Sequence, residues 1–152
     1  MNVILSDNRE DLAMKNIYFQ SIEQLKTGQA LALKDIVDEL LFIHQALIPV
    51  ITQNADSKEV LMMAWMNKAC LEQTLATGLM TYWSRSRQEV WVKGQTSGNH
   101  QKLESMRFDC DGDAVLCLVK QTEGCCHTGR QHCFYLEANQ AGQSVSMLST
   151  AP

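Results

Sequence analysis

The chain of 152 residues is long enough for one domain with a real core and too short for two independent ones. Hydrophobic residues at 45% and charged residues at 20% exclude wholesale disorder, and a net charge of −4 excludes a basic field that would attract nucleic acid or an anionic membrane surface. No apolar run approaches the roughly 20 residues of a spanning helix, and Met1–Asp7 lacks a basic region followed by an apolar stretch, so the chain reads as cytoplasmic.

From Leu31 to Leu47 the apolar residues Leu33, Ile36, Val37, Leu40, Leu41 and Leu47 follow helical spacing, which predicts an amphipathic helix closed by Pro49. Ile48–Gln53 and Glu59–Trp65 read as a hairpin turning at Ala55-Asp56-Ser57-Lys58. Asn67 is placed to cap a helix running through Thr77, with Gly78 placed to end it. Short extended segments follow at Met80–Ser84, Glu89–Val92, Leu103–Phe108, Ala114–Val119 and Cys133–Leu136. The tail Glu137–Pro152 is polar and rich in small residues, and is expected to pack weakly and be mobile. The pattern predicts a compact α+β domain, β-rich and mostly antiparallel, with an added N-terminal helical segment. Its expected division is residues 1–44 as an N-terminal extension, 45–137 as the chemical domain and 138–152 as a tail.

In a reducing compartment, six cysteines point to metal ligation, catalysis or burial. Cys70 lies in a helical pattern and Cys117 in an apolar run, so both read as small core residues. Cys110, Cys125, Cys126 and Cys133 remain.

Asp109-Cys110-Asp111-Gly112-Asp113 sets three carboxylates within five residues. Their repulsion needs solvent or a hard cation to offset it, and the cluster alone does not decide between a solvated turn and a cation site. The glycine at the fourth position and Lys120 at the twelfth exclude an EF-hand loop. Cys125-Cys126-His127-Thr128-Gly129-Arg130-Gln131-His132-Cys133 offers soft thiolates on a short loop that suit zinc. A structural site would want four ligands, commonly as two close pairs, and the chain has no Cys-x-x-Cys pair. A third thiolate from Cys110 with one position left open would be a catalytic arrangement. Arg85, Arg87, Lys93, Thr96 and Ser97 supply guanidinium, ammonium and hydroxyl donors suited to phosphate, although a charged edge hairpin has the same look. Trp83 and Trp91 are either core residues or a surface for stacking a base, with core favoured for at least one.

Together, Trp83-Ser84-Arg85-Ser86-Arg87, the run from Trp91 through Lys93-Gly94, Thr96-Ser97-Gly98-Asn99 and Gln101, Asp109–Asp113, and Cys126-His127-Thr128-Gly129-Arg130 with Cys133-Phe134 resemble the phosphoribosyl-AMP cyclohydrolase family in order and spacing. The resemblance runs from about residue 45 to 135. It implies zinc-dependent hydrolytic opening of the N1–C6 bond of the adenine ring in 1-(5-phosphoribosyl)-AMP, a step of histidine biosynthesis. It implies that Cys110, Cys126 and Cys133 ligate zinc, with Cys110 supplied across an intertwined homodimer, and that Asp109, Asp111 and Asp113 bind magnesium. His127 directly follows the ligand Cys126 and is the expected proton-handling partner of a water activated by zinc, since an imidazole can accept and return a proton in one cycle. Two departures stand out: the N-terminal 40 or so residues show no counterpart, and His132 replaces a small residue. The competing readings are a non-catalytic zinc-stabilised binding module and an amidohydrolase acting on another purine nucleotide.

Overall fold

The computed structural model describes residues 17–152, so the first part of the expected extension lies outside the described residues. The elements are helical turns over 17–22 (α1), α2 Leu33–Glu39, β1 Ile48–Asn54, β2 Val60–Met66, α3 Lys68–Thr77, β3 Thr81–Ser84, β4 Glu89–Val92, β5 Gln101–Phe108, β6 Val115–Gln121, β7 Leu136–Asn139 and β8 Ser144–Met147.

The main sheet has the order β2-β1-β6-β5. The expected hairpin β1–β2 is antiparallel, with Ile48 opposite Met66, and β5–β6 is antiparallel as well. The centre departs from antiparallel pairing, because β1 runs parallel to β6 with Val50 opposite Val115. β3–β4 and β7–β8 form two separate antiparallel ribbons. Strand alternation sends Ile48, Val50 and Thr52 of β1 inward at 0% exposure while Ile51 faces out. The same period turns Val115, Cys117 and Val119 of β6 into the core, and Cys70 and Cys117 are the buried residues expected of them.

The helix over Lys68–Thr77 forms as the sequence predicts. Asn67 accepts a hydrogen bond from the Cys70 N–H at 2.8 Å, and Gly78 ends the helix in the left-handed conformation at φ +73°. The first amphipathic segment differs from expectation. Only Leu33–Glu39 is helical; Leu40 turns extended, and the Leu41 N–H donates to the carbonyl of Gly112 at 2.8 Å instead of continuing the helix. Leu40 and Leu41 are thereby driven into the interior at 2% exposure each. Phe19, Val37 and Leu40 share one apolar cluster with Ile48, Leu61, Leu71, Tyr82 and Val115, so the extension is part of the same core as the strands. The segment Cys133–Leu136 is not a strand. The ribbon begins at Leu136 and occupies the tail expected to be mobile, its side chains exposed throughout.

Candidate active site

Two loops meet over β2 and β4. Lys93 follows β4, and the loop after it is closed by a Gly98 N–H to Gly94 carbonyl bond of 2.8 Å and an Asn99 N–H to Ser97 Oγ bond of 3.2 Å, leaving Thr96 and Ser97 exposed at its tip. The cysteine loop is closed by bonds from the Gly129 N–H to the Cys126 carbonyl at 2.9 Å and from the Cys126 N–H to the Arg130 carbonyl at 3.2 Å. It is tied down where the Cys133 N–H donates to the Leu61 carbonyl at 2.7 Å. The Lys93 ammonium joins the two loops, donating to the Cys125 carbonyl at 2.6 Å while lying 4.9 Å from the centre of the Trp91 ring.

Between the loops lies a cavity of about 680 Å³, and Lys93, Thr96, Ser97, Cys126, His127 and Cys133 all line it. Six of the residues singled out from sequence thus converge on one space. Arg85 and Arg87 do not line it; they border an adjoining cavity of about 490 Å³ that shares Met62 and Trp91 with the first. Arg85 stacks on Trp65 at 5.1 Å, and Arg87 lies 3.4 Å from Glu89. Trp83 and Trp91 are both half-buried and packed on the core, so the core reading holds for each, and Trp91 also presents a surface to the cavities.

Asp109, Cys110 and Asp111 bring one ligand atom each within 4.8 Å of one another on an exposed turn between β5 and β6. Among the described residues, neither Cys110 nor the three aspartates line the two cavities. A single chain therefore assembles Cys126 with Cys133 and leaves Cys110 apart.

Sequence reasoning kept Cys125 among the candidate cysteines without giving it a role. Its buried thiol lies 3.3 Å from the Gln131 carbonyl and 3.5 Å from the Leu61 carbonyl, alternative acceptors for its one hydrogen, and hydrogen bonding to Cys133 with burial pushes its pKa far up. It is held as a thiol. Cys133 goes the other way: hydrogen bonds from Cys125 and Cys126, with the charges of Lys93 and His127, outweigh burial and bring it down to about 6. Its adjacency to Cys126 was the available signal for Cys125, but only the fold shows that its thiol is already engaged. His132, the residue expected to depart from the family pattern, is partly buried; Nε2 lies 3.0 Å from Glu59 and the buried Nδ1 has no hydrogen-bond partner.

The donor types fit two different ions. Cys126 and a readily ionised Cys133 are soft donors of the kind that suits zinc, and the Thr128 hydroxyl donates to the Cys126 sulfur at 3.0 Å. The aspartate turn offers hard oxygen donors. Asp111 Oδ1 is buried without a hydrogen-bond partner, and burial together with the Asp109 and Asp111 carboxylates raises Asp113 to about 6, both consistent with a place for a cation.

Residues 62–135 match the family model described as phosphoribosyl-AMP cyclohydrolase. Curated proteins of that name include one from Hydrogenovibrio crunogenus, 50% identical over 80% of this chain and 82% of its own length. Another, from Rhodospirillum rubrum, is 55% identical over 67% of this chain and 71% of its own. A third, from Chromohalobacter salexigens, is 46% identical over 88% of this chain and 90% of its own. This last match spans 134 of the 152 residues and cannot be confined to residues 45–152, so part of the N-terminal segment has a counterpart in that relative, contrary to expectation.

Proposed function

This chain belongs to the phosphoribosyl-AMP cyclohydrolase family, and on that premise we propose that it opens the adenine ring of 1-(5-phosphoribosyl)-AMP by hydrolysis of the N1–C6 bond, with zinc held by thiolates and magnesium by carboxylates. The observation that carries the reading is the single cavity in which phosphate-binding types, Lys93, Thr96 and Ser97, face Cys126, His127 and Cys133. A binding module stabilised by zinc would have no use for the first group, and a purely phosphate-binding pocket none for the second.

Substitution at N1 breaks the aromatic pattern of adenine and makes C6 amidine-like, so C6 is open to addition of water. Zinc, when bound by Cys126, Cys133 and a third thiolate, supplies Lewis acidity that lowers the pKa of water. Three thiolates leave the ion less electrophilic than imidazoles would, so a base is needed, and exposed His127 stands at the cavity wall to fill that role. Its imidazole takes one proton as the water oxygen bonds to C6, then returns it to N1 as the C6–N1 bond breaks, while the second water proton passes to the exocyclic nitrogen and leaves a carboxamide at C6. Lys93, Thr96 and Ser97 bind one phosphate of the substrate. Arg85 and Arg87, at the adjoining cavity, bind the other, which sets the base between them beside Trp91.

The third thiolate is Cys110 of a second copy. Cys125 is engaged as a donor and Cys110 lies on a separate exposed turn, so a set of three thiolates is complete only when two chains meet. Asp109, Asp111 and Asp113 would hold magnesium on that same turn, bringing both ions to one intersubunit site.

The test is turnover of phosphoribosyl-AMP by the purified protein before and after removal of metal with a chelator and restoration with zinc. The expected result is loss on removal and recovery with zinc. Full turnover by metal-free protein, or none by zinc-loaded protein with magnesium present, would overturn the reading.

A further inference from the structure

The turn carrying Asp109, Asp111 and Asp113 is weakly held by its own bonds. Asp109 Oδ1 accepts the N–H groups of Asp111 and Asp113 at 3.2 Å each, the Gly112 N–H reaches the Asp109 carbonyl at 3.2 Å, and the Asp109 N–H reaches the Ala114 carbonyl at 3.1 Å. These are at the long end for such bonds, in a turn whose carboxylates repel one another. Its firm attachments come from elsewhere, and both meet at Gly112.

Gly112 is buried although Asp109 and Cys110 beside it are exposed. The Phe19 ring of α1, 4% exposed, packs against it: a Cβ added at position 112 would come within 2.9 Å of Phe19 Cδ2 and closer still to other ring atoms. The left-handed φ of +76° favours glycine there for a second reason. From the other side, the Leu41 N–H donates to the Gly112 carbonyl at 2.8 Å, the shortest bond the turn makes. The N-terminal segment thus fixes the one residue around which the carboxylates are arranged.

We propose that Phe19 and Leu41 make the N-terminal segment a positioning element for the carboxylate turn, setting Asp109, Asp111 and Asp113 in place for a divalent cation before it arrives. This rests on the reading of those aspartates as cation ligands. Phe19 lines neither cavity, carries no ligand atom and acts through Gly112, as residues that orient ligands do in other metal sites. Holding the carboxylates in advance spares the cation the ordering of the turn, so loss of the contact should fall on affinity for the cation and spare the chemical step.

The experiment uses the full chain as Phe19→Ala and as the milder Phe19→Leu, with Leu71→Ala in α3 as a core truncation on another element. Amide exchange at residues 111–113 is measured without divalent cation, and turnover is measured against magnesium concentration at fixed zinc content. For Phe19→Ala we expect faster exchange across the turn and about a 10-fold rise in the magnesium needed for half-maximal turnover, the lower end for loss of a ligand-orienting group. Turnover at saturating magnesium should remain near wild type, and Phe19→Leu should lie between. Leu71→Ala should lower stability and leave the magnesium curve in place. If Phe19→Ala does not fold, Phe19→Leu carries the comparison. Wild-type exchange and a wild-type magnesium curve in a folded Phe19 variant would overturn the proposal, as would an equal shift of the curve in Leu71→Ala. Wild-type turnover that ignores magnesium would instead overturn the underlying cation reading, a failure seen without any variant.

Discussion

The Tyr82 hydroxyl donates to Gln101 Oε1 across 2.7 Å, joining β3 to the first residue of β5 where neither side chain has any solvent exposure. The Thr52 hydroxyl of β1 completes the chain of bonds at 2.8 Å from the Tyr82 oxygen. Burial pushes the Tyr82 pKa far up, so the hydroxyl stays protonated and remains a donor. Tyr82→Phe would leave Gln101 Oε1 without that donor, at a cost of about 1–3 kcal/mol. The measurement is urea unfolding, and a variant as stable as wild type would show that the bond contributes nothing.

Sharing of the zinc site is open to complementation. Cys110→Ala and Cys133→Ala are each expected to be inactive, yet co-refolded mixtures should regain turnover, because a mixed dimer contains one site with all three thiolates. Mixed dimers verified by mass that stay inactive would mean that each chain supplies its own ligands.

His127→Ala is expected to retain zinc and to lose on the order of 10²–10⁴ in kcat, the scale of general acid–base assistance. Zinc content and turnover must be measured on the same sample. Near-normal kcat with zinc retained would remove His127 from the proton path.

The link between α2 and α3 predicts a pH dependence. Hydrogen bonds from Lys34 and Lys68, the latter at 2.7 Å, lower Asp38 from 3.8 to about 2. A carboxyl with a lowered folded pKa stabilises the fold above its unfolded value and loses that contribution as pH falls through the folded one. The group is exposed, so the effect is small. Wild type should exceed Asp38→Asn in urea midpoint at about pH 7, and the gap should close between about pH 4 and pH 2. A gap that stays constant over that range would show that Asp38 acts by packing or local structure instead of charge.

What the sequence made legible was local. The Asn67 cap, the Gly78 stop, the β1–β2 hairpin and the buried Cys70 and Cys117 depend on neighbours in the chain or on simple period, and all were found. The cavity residues were legible as motifs. Phe19 against Gly112 was not, because nothing near Phe19 announces a partner in a loop more than ninety positions away. For the same reason residues 1–44 read as an extension separate from the chemical domain, and deletion of residues 1–40 tests that separation. That deletion removes Phe19, Val37 and Leu40 from the shared core. At about 2–5 kcal/mol for truncating a large buried side chain, the loss rivals the whole stability of a domain. The expected outcome is now a chain without a cooperative unfolding transition, as followed by circular dichroism during heating. A truncation that melts like wild type would restore the separable reading.

The parallel pairing of β1 with β6 also dictates an order of events during synthesis. Once Ile48–Met66 has left the ribosome, β1 and β2 can pair, but the other edge of β1 must wait for Val115–Gln121. Throughout that interval the hairpin carries an unsatisfied row of backbone groups beside the apolar face of Ile48 and Val50. Closing so long a loop is entropically slow, which makes arrival of β6 the step that commits the nascent chain. A ribosome stalled between the two strands would present a sticky strand edge, a natural target for chaperone capture or for pairing with a neighbouring nascent chain.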